Sequence, residues 1–100
     1  MKFKGIRIRN YNMALCGEQY PEGFYYHRLF NFSTRSPDGF DWGGEDGSDD
    51  LALSILRQVY KSKNKADSLK DEFQKEFVNK FENEWTISKA EVKEWASALV

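Results

Sequence analysis

The sequence predicts an α+β fold, because apolar residues alternate with period two in its first half and recur with helical spacing in its second. Turn chemistry built on proline and glycine punctuates only the first half. With 100 residues the chain has the size of one domain, and it buries roughly two thirds of its unfolded surface without needing disulfides or a metal. The expectation is a single domain over residues 1–100, mainly strands and turns over 1–43 and three helices over 48–100. An N-terminal antiparallel sheet of three or four strands is expected to pack against the three C-terminal helices.

Phe3 to Arg9 predicts the first strand, with Lys4, Ile6 and Ile8 on one face and Phe3, Arg7 and Arg9 on the other. Met13 to Gln19 predicts a second. Tyr20-Pro21-Glu22-Gly23 has proline at the second and glycine at the fourth position of a type I turn, so a hairpin follows. Phe24 to Phe32 predicts the third strand, with Phe24, Tyr26, Phe30 and Phe32 on one face and Tyr25, His27 and Leu29 on the other. Ser36-Pro37-Asp38-Gly39 repeats the turn chemistry and introduces a short strand, Phe40-Asp41-Trp42, with both aromatic rings inward.

The helical half begins near Ser48, whose hydroxyl is expected to cap while Asp49 and Asp50 meet the positive helix end. Leu51, Ala52, Leu53, Ile55, Leu56, Val59 and Tyr60 cover most of this helix, which marks it as the best buried. A second helix over Lys65 to Phe81 aligns Ala66, Leu69, Phe73, Phe77 and Phe81 on one stripe. Ser88 and Glu91 form a capping box for the third, with Ile87 and Val92 as a hydrophobic staple and Val92, Trp95, Ala96 and Leu99 on its apolar face.

Cys16 is the only cysteine, so no internal disulfide or multi-cysteine zinc site forms and a reducing compartment is expected. No segment approaches the roughly 20 apolar residues of a membrane span. The N-terminus lacks the apolar stretch of a signal peptide, so the expected location is the host cytoplasm. The net charge of −1 is unevenly spread. Basic residues prevail up to residue 36, whereas Asp38, Asp41, Glu45, Asp46, Asp49 and Asp50 follow with no base among them.

Phe40-Asp41-Trp42-Gly43 leads through a glycine-containing loop to Leu51-Ala52-Leu53-Ser54-Ile55-Leu56. This stretch resembles a family of short uncharacterised proteins from phages, bacteria and archaea, in which the pattern reads F-E-W-G-Y-G-G-S-G-P followed by L-A-L-x-I-L. The likeness extends to Lys4-Gly5-Ile6-Arg7 and to Trp85-Thr86-Ile87-Ser88 with Glu91 and Trp95. Within the loop this chain is one residue shorter, lacks the tyrosine and proline, and carries Glu45, Asp46 and Asp49 instead of small residues. The resemblance implies the fold and a phage or mobile-element setting, and it supplies no catalytic residues.

Candidate chemistry is sparse. Gly43-Gly44-Glu45-Asp46-Gly47-Ser48 precedes a helix start, but a phosphate-binding loop needs lysine where Gly47 stands, and the nearby carboxylates repel an anion. The acids do not follow the spacing of a calcium loop, so neither a metal nor a cofactor is expected. Cys16 and His27 could be paired only as a thiol and imidazole with no activating context. Lys2, Lys4, Arg7, Arg9, Arg28 and Arg35, interleaved with Tyr25, Tyr26 and Phe30, offer a basic strand face for nucleic acid, against which stands a pI near 5.8.

The leading expectation is a non-enzymatic protein-binding protein that contacts a host protein or complex through Asp41, Glu45, Asp46, Asp49 and Asp50. Its expected action is steric or electrostatic blockade of a host nucleic-acid-targeting defence complex. The alternatives are a nucleic-acid-binding accessory protein using the basic strand face and a small enzyme of unknown reaction. Neither a membrane partner nor a particular oligomeric state is expected from the sequence.

Overall fold

The computed structural model describes residues 1–9, 11–32, 39–45 and 47–99. Its elements run β1 (Lys2–Ile8), β2 (Tyr11–Tyr20), β3 (Gly23–Arg28), α1 (Ser48–Tyr60), α2 (Lys63–Glu76), β4 (Glu84–Ser88) and α3 (Lys89–Ser97). The α+β class is the one the sequence predicts. Contacts gather the chain into two compact units, Met1–Leu29 with Asn83–Val100, and Phe30–Glu82.

The first unit is a four-stranded antiparallel sheet of order β3-β2-β1-β4, followed by α3. β1 pairs with β2 from Lys2↔Gly17 to Ile8↔Tyr11, and with β4 from Lys2↔Ser88 to Ile6↔Glu84. Opposed residues of an antiparallel pair share a face. Phe3 therefore lies in one row with Cys16 and Ile87, and Gly5 with Ala14 and Trp85, and this face is the buried one. A Cβ on Gly5 would collide with the Trp85 indole, so the missing side chain is what lets the ring lie across β1. Ser88 ends β4 and begins α3. Its Oγ accepts from Glu91 N–H at 3.1 Å and its own N–H donates to Glu91 Oε1 at 3.2 Å, which completes the expected capping box.

The second unit is a hairpin of α1 and α2 with the segments that flank it. Ser62 Oγ accepts from Lys65 N–H at 3.2 Å and starts α2 only two residues after α1 ends. Leu51, Ala52, Ile55, Leu56 and Val59 of α1 and Ala66 and Phe73 of α2 are buried. Gly47 precedes α1 with φ of 97°, and a Cβ there would lie 2.8 Å from Asp41 N, so both conformation and space require glycine. Trp42 is fully buried. Its Nε1–H donates to Glu82 O at 2.6 Å, and Gly43 N–H donates to Val78 O at 2.9 Å.

Several local expectations are corrected. Phe40-Asp41-Trp42 is not a strand: it joins no ladder of the sheet, and the Trp42 N–H donates to Asp41 Oδ1 at 2.8 Å. β3 stops at Arg28 instead of Phe32, and α2 at Glu76 instead of Phe81, where a 3₁₀ turn over Val78–Lys80 takes over. The fourth strand is Glu84–Ser88 from the C-terminal half, not a segment of 1–43. Ser48 does not cap α1: Gly47 holds the cap position, and the Ser48 hydroxyl is buried with no hydrogen-bond partner among the described residues. The Ser36-Pro37-Asp38 turn lies outside the described residues.

Trp42→Ala is expected to cost about 3–5 kcal/mol, a large part of the roughly 5–15 available to a small domain. Trp42→Phe keeps most of the volume and separates packing from the Glu82 bond. Urea unfolding followed by far-ultraviolet circular dichroism measures both, and an unchanged midpoint for the alanine variant would refute the anchoring role.

Candidate interaction face

The register that buries Phe3 and Cys16 sends the alternate residues to the other face of the sheet. Lys4 stands opposite Leu15 and Thr86, Ile6 opposite Met13 and Glu84, and Ile8 opposite Tyr11. Across the next pair, Leu15 faces Arg28, Gly17 faces Tyr26 and Gln19 faces Phe24. Ile8 is 60% exposed, Tyr11 46%, Phe24 40% and Tyr26 39%, so the outward face is both apolar and wet. Ile6, Met13 and Leu15 lie between them, half-buried.

Contacts within the face hold these side chains in place. A Cβ on Gly17 would sit 2.6 Å from the Tyr26 ring and 2.7 Å from Phe24, so both rings lie over that glycine. They meet edge to face, with centroids 5.2 Å apart. Lys4 Nζ stands 4.2 Å from the Tyr26 centroid, and the Arg28 guanidinium stands 5.7 Å from that of Tyr11 while donating to its hydroxyl. Each such cation–ring contact contributes about 0.5–1 kcal/mol at an exposed site, which biases where the charge stands. A hollow of about 410 Å³ is lined by Lys4, Ile6, Glu84 and Thr86 of this face together with Gly5 and Trp85.

Of the basic residues singled out in the sequence, Lys2, Lys4 and Arg28 share this face. Arg7 does not. It points to the buried side, where Nε donates to Asn12 at 3.1 Å and Nη1 to Asn83 at 3.3 Å. Arg9 is exposed just beyond β1 with φ of 55°, and Arg35 lies outside the described residues. Tyr25 is on the face opposite Tyr26, and Phe30 belongs to the other unit.

Among the described residues, the acidic set falls into different surroundings. Asp50 is buried at 1% exposure, Asp49 pairs with Lys70 at 2.9 Å, and Asp41 accepts the Trp42 N–H. Glu45 is exposed, and Asp46 lies outside the described residues. In the same unit, Arg57, Lys63, Lys70, Asp67 and Asp71 line a hollow of about 390 Å³ with Phe32 and Leu53. Lys63 holds Asp67 at 2.9 Å, and this hydrogen bond keeps the carboxyl below its usual pKa. Lys70 turns to Asp49, and the Arg57 guanidinium stands 4.5 Å from the Phe32 centroid.

Cys16 and His27 stand directly opposite each other across β2 and β3. The thiol is fully buried, while the imidazole bonds the Arg28 carbonyl through Nδ1 at 3.0 Å and lies 3.6 Å from Glu18 through Nε2. Among the described residues, the one hydrogen bond shown for the ring is therefore to a backbone carbonyl. The Tyr20 hydroxyl donates to Glu18 at 3.0 Å, and that bond raises the phenol above its ordinary pKa. Among the described residues no three His, Cys, Asp or Glu side chains gather as metal ligands. No helix there is long and apolar enough to cross a membrane.

The central pattern that resembles a known family thus maps onto Trp42, the Gly47 turn and the buried side of α1. The sequence profile of a family of unknown function, DUF6166, matches residues 3–98. The chain belongs to that family. No curated protein and no solved structure matches it. The profile spans both units of this DUF6166 member, so the sheet with its outward face and the helical hairpin fall within the family's extent.

Sequence reasoning missed Ile8, Tyr11, Met13, Leu15 and Phe24 as candidate site residues. The signal was the alternation of β2, in which large Tyr11, Met13 and Leu15 interleave with smaller Asn12, Ala14 and Cys16. Native Cys16 is expected to react with a water-soluble disulfide reagent only as fast as the sheet opens, at least about a hundredfold slower than in urea. Absorbance kinetics of thiol release measure this, and comparable rates in the two states would contradict the burial.

Proposed function

We propose that the protein is a non-enzymatic binding protein that holds a protein partner on the outward face of its sheet. The observation that carries this reading is the exposed set Ile8, Tyr11, Phe24 and Tyr26, with Lys2, Lys4 and Arg28 among them. Aromatic residues, methionine and arginine are the types enriched at protein interfaces, and a contiguous apolar patch of this kind marks an interaction site. The cations favour a partner whose apolar contact is edged by carboxylates, since opposite charges speed encounter and fix orientation.

A single nucleic-acid strand fits this face less well. Bases stack on free aromatic rings, whereas Lys4 and Arg28 already stand over Tyr26 and Tyr11, and Ile6, Ile8, Met13 and Leu15 offer a base no ring to stack on. The acidic stretch supports the partner role less than the sequence did, because Asp41, Asp49 and Asp50 serve their own unit. The phage or mobile-element setting implied by the resemblance suits action by blockade of a host complex, and we carry that as part of the proposal.

The test starts with a photo-crosslinking residue in place of Tyr11 and, separately, of Glu45, which identifies the partner and the side it meets. Ile8→Asp with Phe24→Asp is then expected to weaken binding of that partner at least about tenfold, with the melting temperature little changed. Glu45→Gln is expected to leave affinity within about twofold. The reverse pattern would return the working surface to the acidic loop. Salt-dependent binding of oligonucleotides, lost in the double variant, would replace the protein partner with nucleic acid.

A further inference from the structure

β3 is an edge strand with both faces in water. Phe24, Tyr26 and Arg28 are exposed on one face and Tyr25 and His27 on the other, so neither side is buried as the rest of the sheet is. The hairpin closes on Tyr20↔Gly23, and Leu29 N–H donates to Ala14 O at 2.9 Å. In the alternating antiparallel pattern these place the backbone groups of Gly23, Tyr25 and His27 toward β2, and those of Phe24, Tyr26 and Arg28 outward. Edge strands are ordinarily guarded by lysine, proline or a bulge. Gly23–Arg28 contains neither lysine nor proline, and its register against β2 runs without interruption.

We propose that β3 is the seam of a homodimer, pairing antiparallel with β3 of a second copy about a two-fold axis at Tyr26. The occupant is argued from self-complementarity. In this register Tyr26 meets itself, Arg28 meets Phe24 of the partner, and Tyr25 meets His27. The cation therefore stands opposite an uncharged residue and no like charges oppose. The strand ends at Gly23, where the Pro21–Glu22 turn returns the chain into β2, so a seam centred closer to the hairpin tip would pair fewer residues. The Arg28 carbonyl already accepts from His27 Nδ1, and its second lone pair serves the seam. Two copies would share one continuous eight-stranded sheet. The inference is independent of the partner reading, because mass alone tests it.

Tyr25 and His27 lie on the face that does not carry Ile8 and Tyr11, which makes them the positions to change. Light scattering after gel filtration is expected to give the wild type at twice its 11.7 kDa chain mass. A variant with Tyr25→Lys and His27→Lys, and another with Tyr25→Asp and His27→Asp, are each expected to run at the single-chain mass. An equimolar mixture of the two should recover the dimer, since lysine then faces aspartate across the seam. Independently, Tyr26→Cys should give a covalent dimer on mild oxidation, because an opposed pair of this type has Cα atoms about 5.5 Å apart. A wild type that stays at single-chain mass up to millimolar concentration, or charge variants that dimerise as the wild type does, would overturn the seam. So would a Tyr26→Cys variant that oxidises without forming a covalent dimer.

Discussion

The first unit depends on the parity of β1. As an inner strand, β1 has its register fixed on both sides, and a one-residue slip would exchange its faces. Phe3 is the large apolar residue on its buried side, joined by Gly5, so burial of Phe3 and the fit of Trp85 over Gly5 choose the parity. Everything on the other side then faces water by geometry. That is how a strand can expose Ile8 while burying the phenylalanine near its start.

The outcome inverts the usual assignment of size to place. Small residues (Gly5, Ala14 and Cys16) line the inside because Phe3 and Trp85 already fill it, and the bulkier Ile6, Met13 and Leu15 are displaced outward. An exposed apolar face of this kind is a liability unless its side chains are held and its charges keep it wet. Lys4 over Tyr26 and Arg28 over Tyr11 do both, placing ammonium and guanidinium groups where a docking surface meets them first. Gly17 makes room for Tyr26 and Phe24 to lie down instead of standing into solvent. A pre-positioned face loses less side-chain entropy on binding than a mobile one.

In the second unit the segment before α1 is committed to structure. Trp42 reaches Glu82, Gly43 reaches Val78, and Gly47 turns tightly beside the Asp41 backbone, so both ends of the helical hairpin's flanks are tied by short hydrogen bonds. The acids among them take part in the same local work. Asp41 closes on the Trp42 amide, Asp49 answers Lys70, and Asp50 is buried in the first turn of α1 beside the positive helix end. A dense run of carboxylates in sequence is thus divided in space, because a turn and a helix start rotate neighbouring residues into different surroundings.

What the sequence determined by itself are the features set within a few residues. The hairpin turn at Pro21–Glu22, the capping box of α3 and the buried stripe of α1 need only local hydrogen bonds and helical periodicity, and each was legible. So was the α+β class. Illegible were the features that depend on a partner distant in the chain. Glu84-Trp85-Thr86-Ile87-Ser88 alternates as a strand should, yet only pairing with β1 across some eighty residues makes it one, and the same alternation at Phe40–Trp42 finds no ladder. The candidate face was half legible: Lys2, Lys4 and Arg28 were named, but with Arg7, which the pleat sends to the other side. Alternation states which residues stand together, and only the tertiary packing of Phe3, Cys16, Trp85 and Ile87 decides which of the two sets meets water.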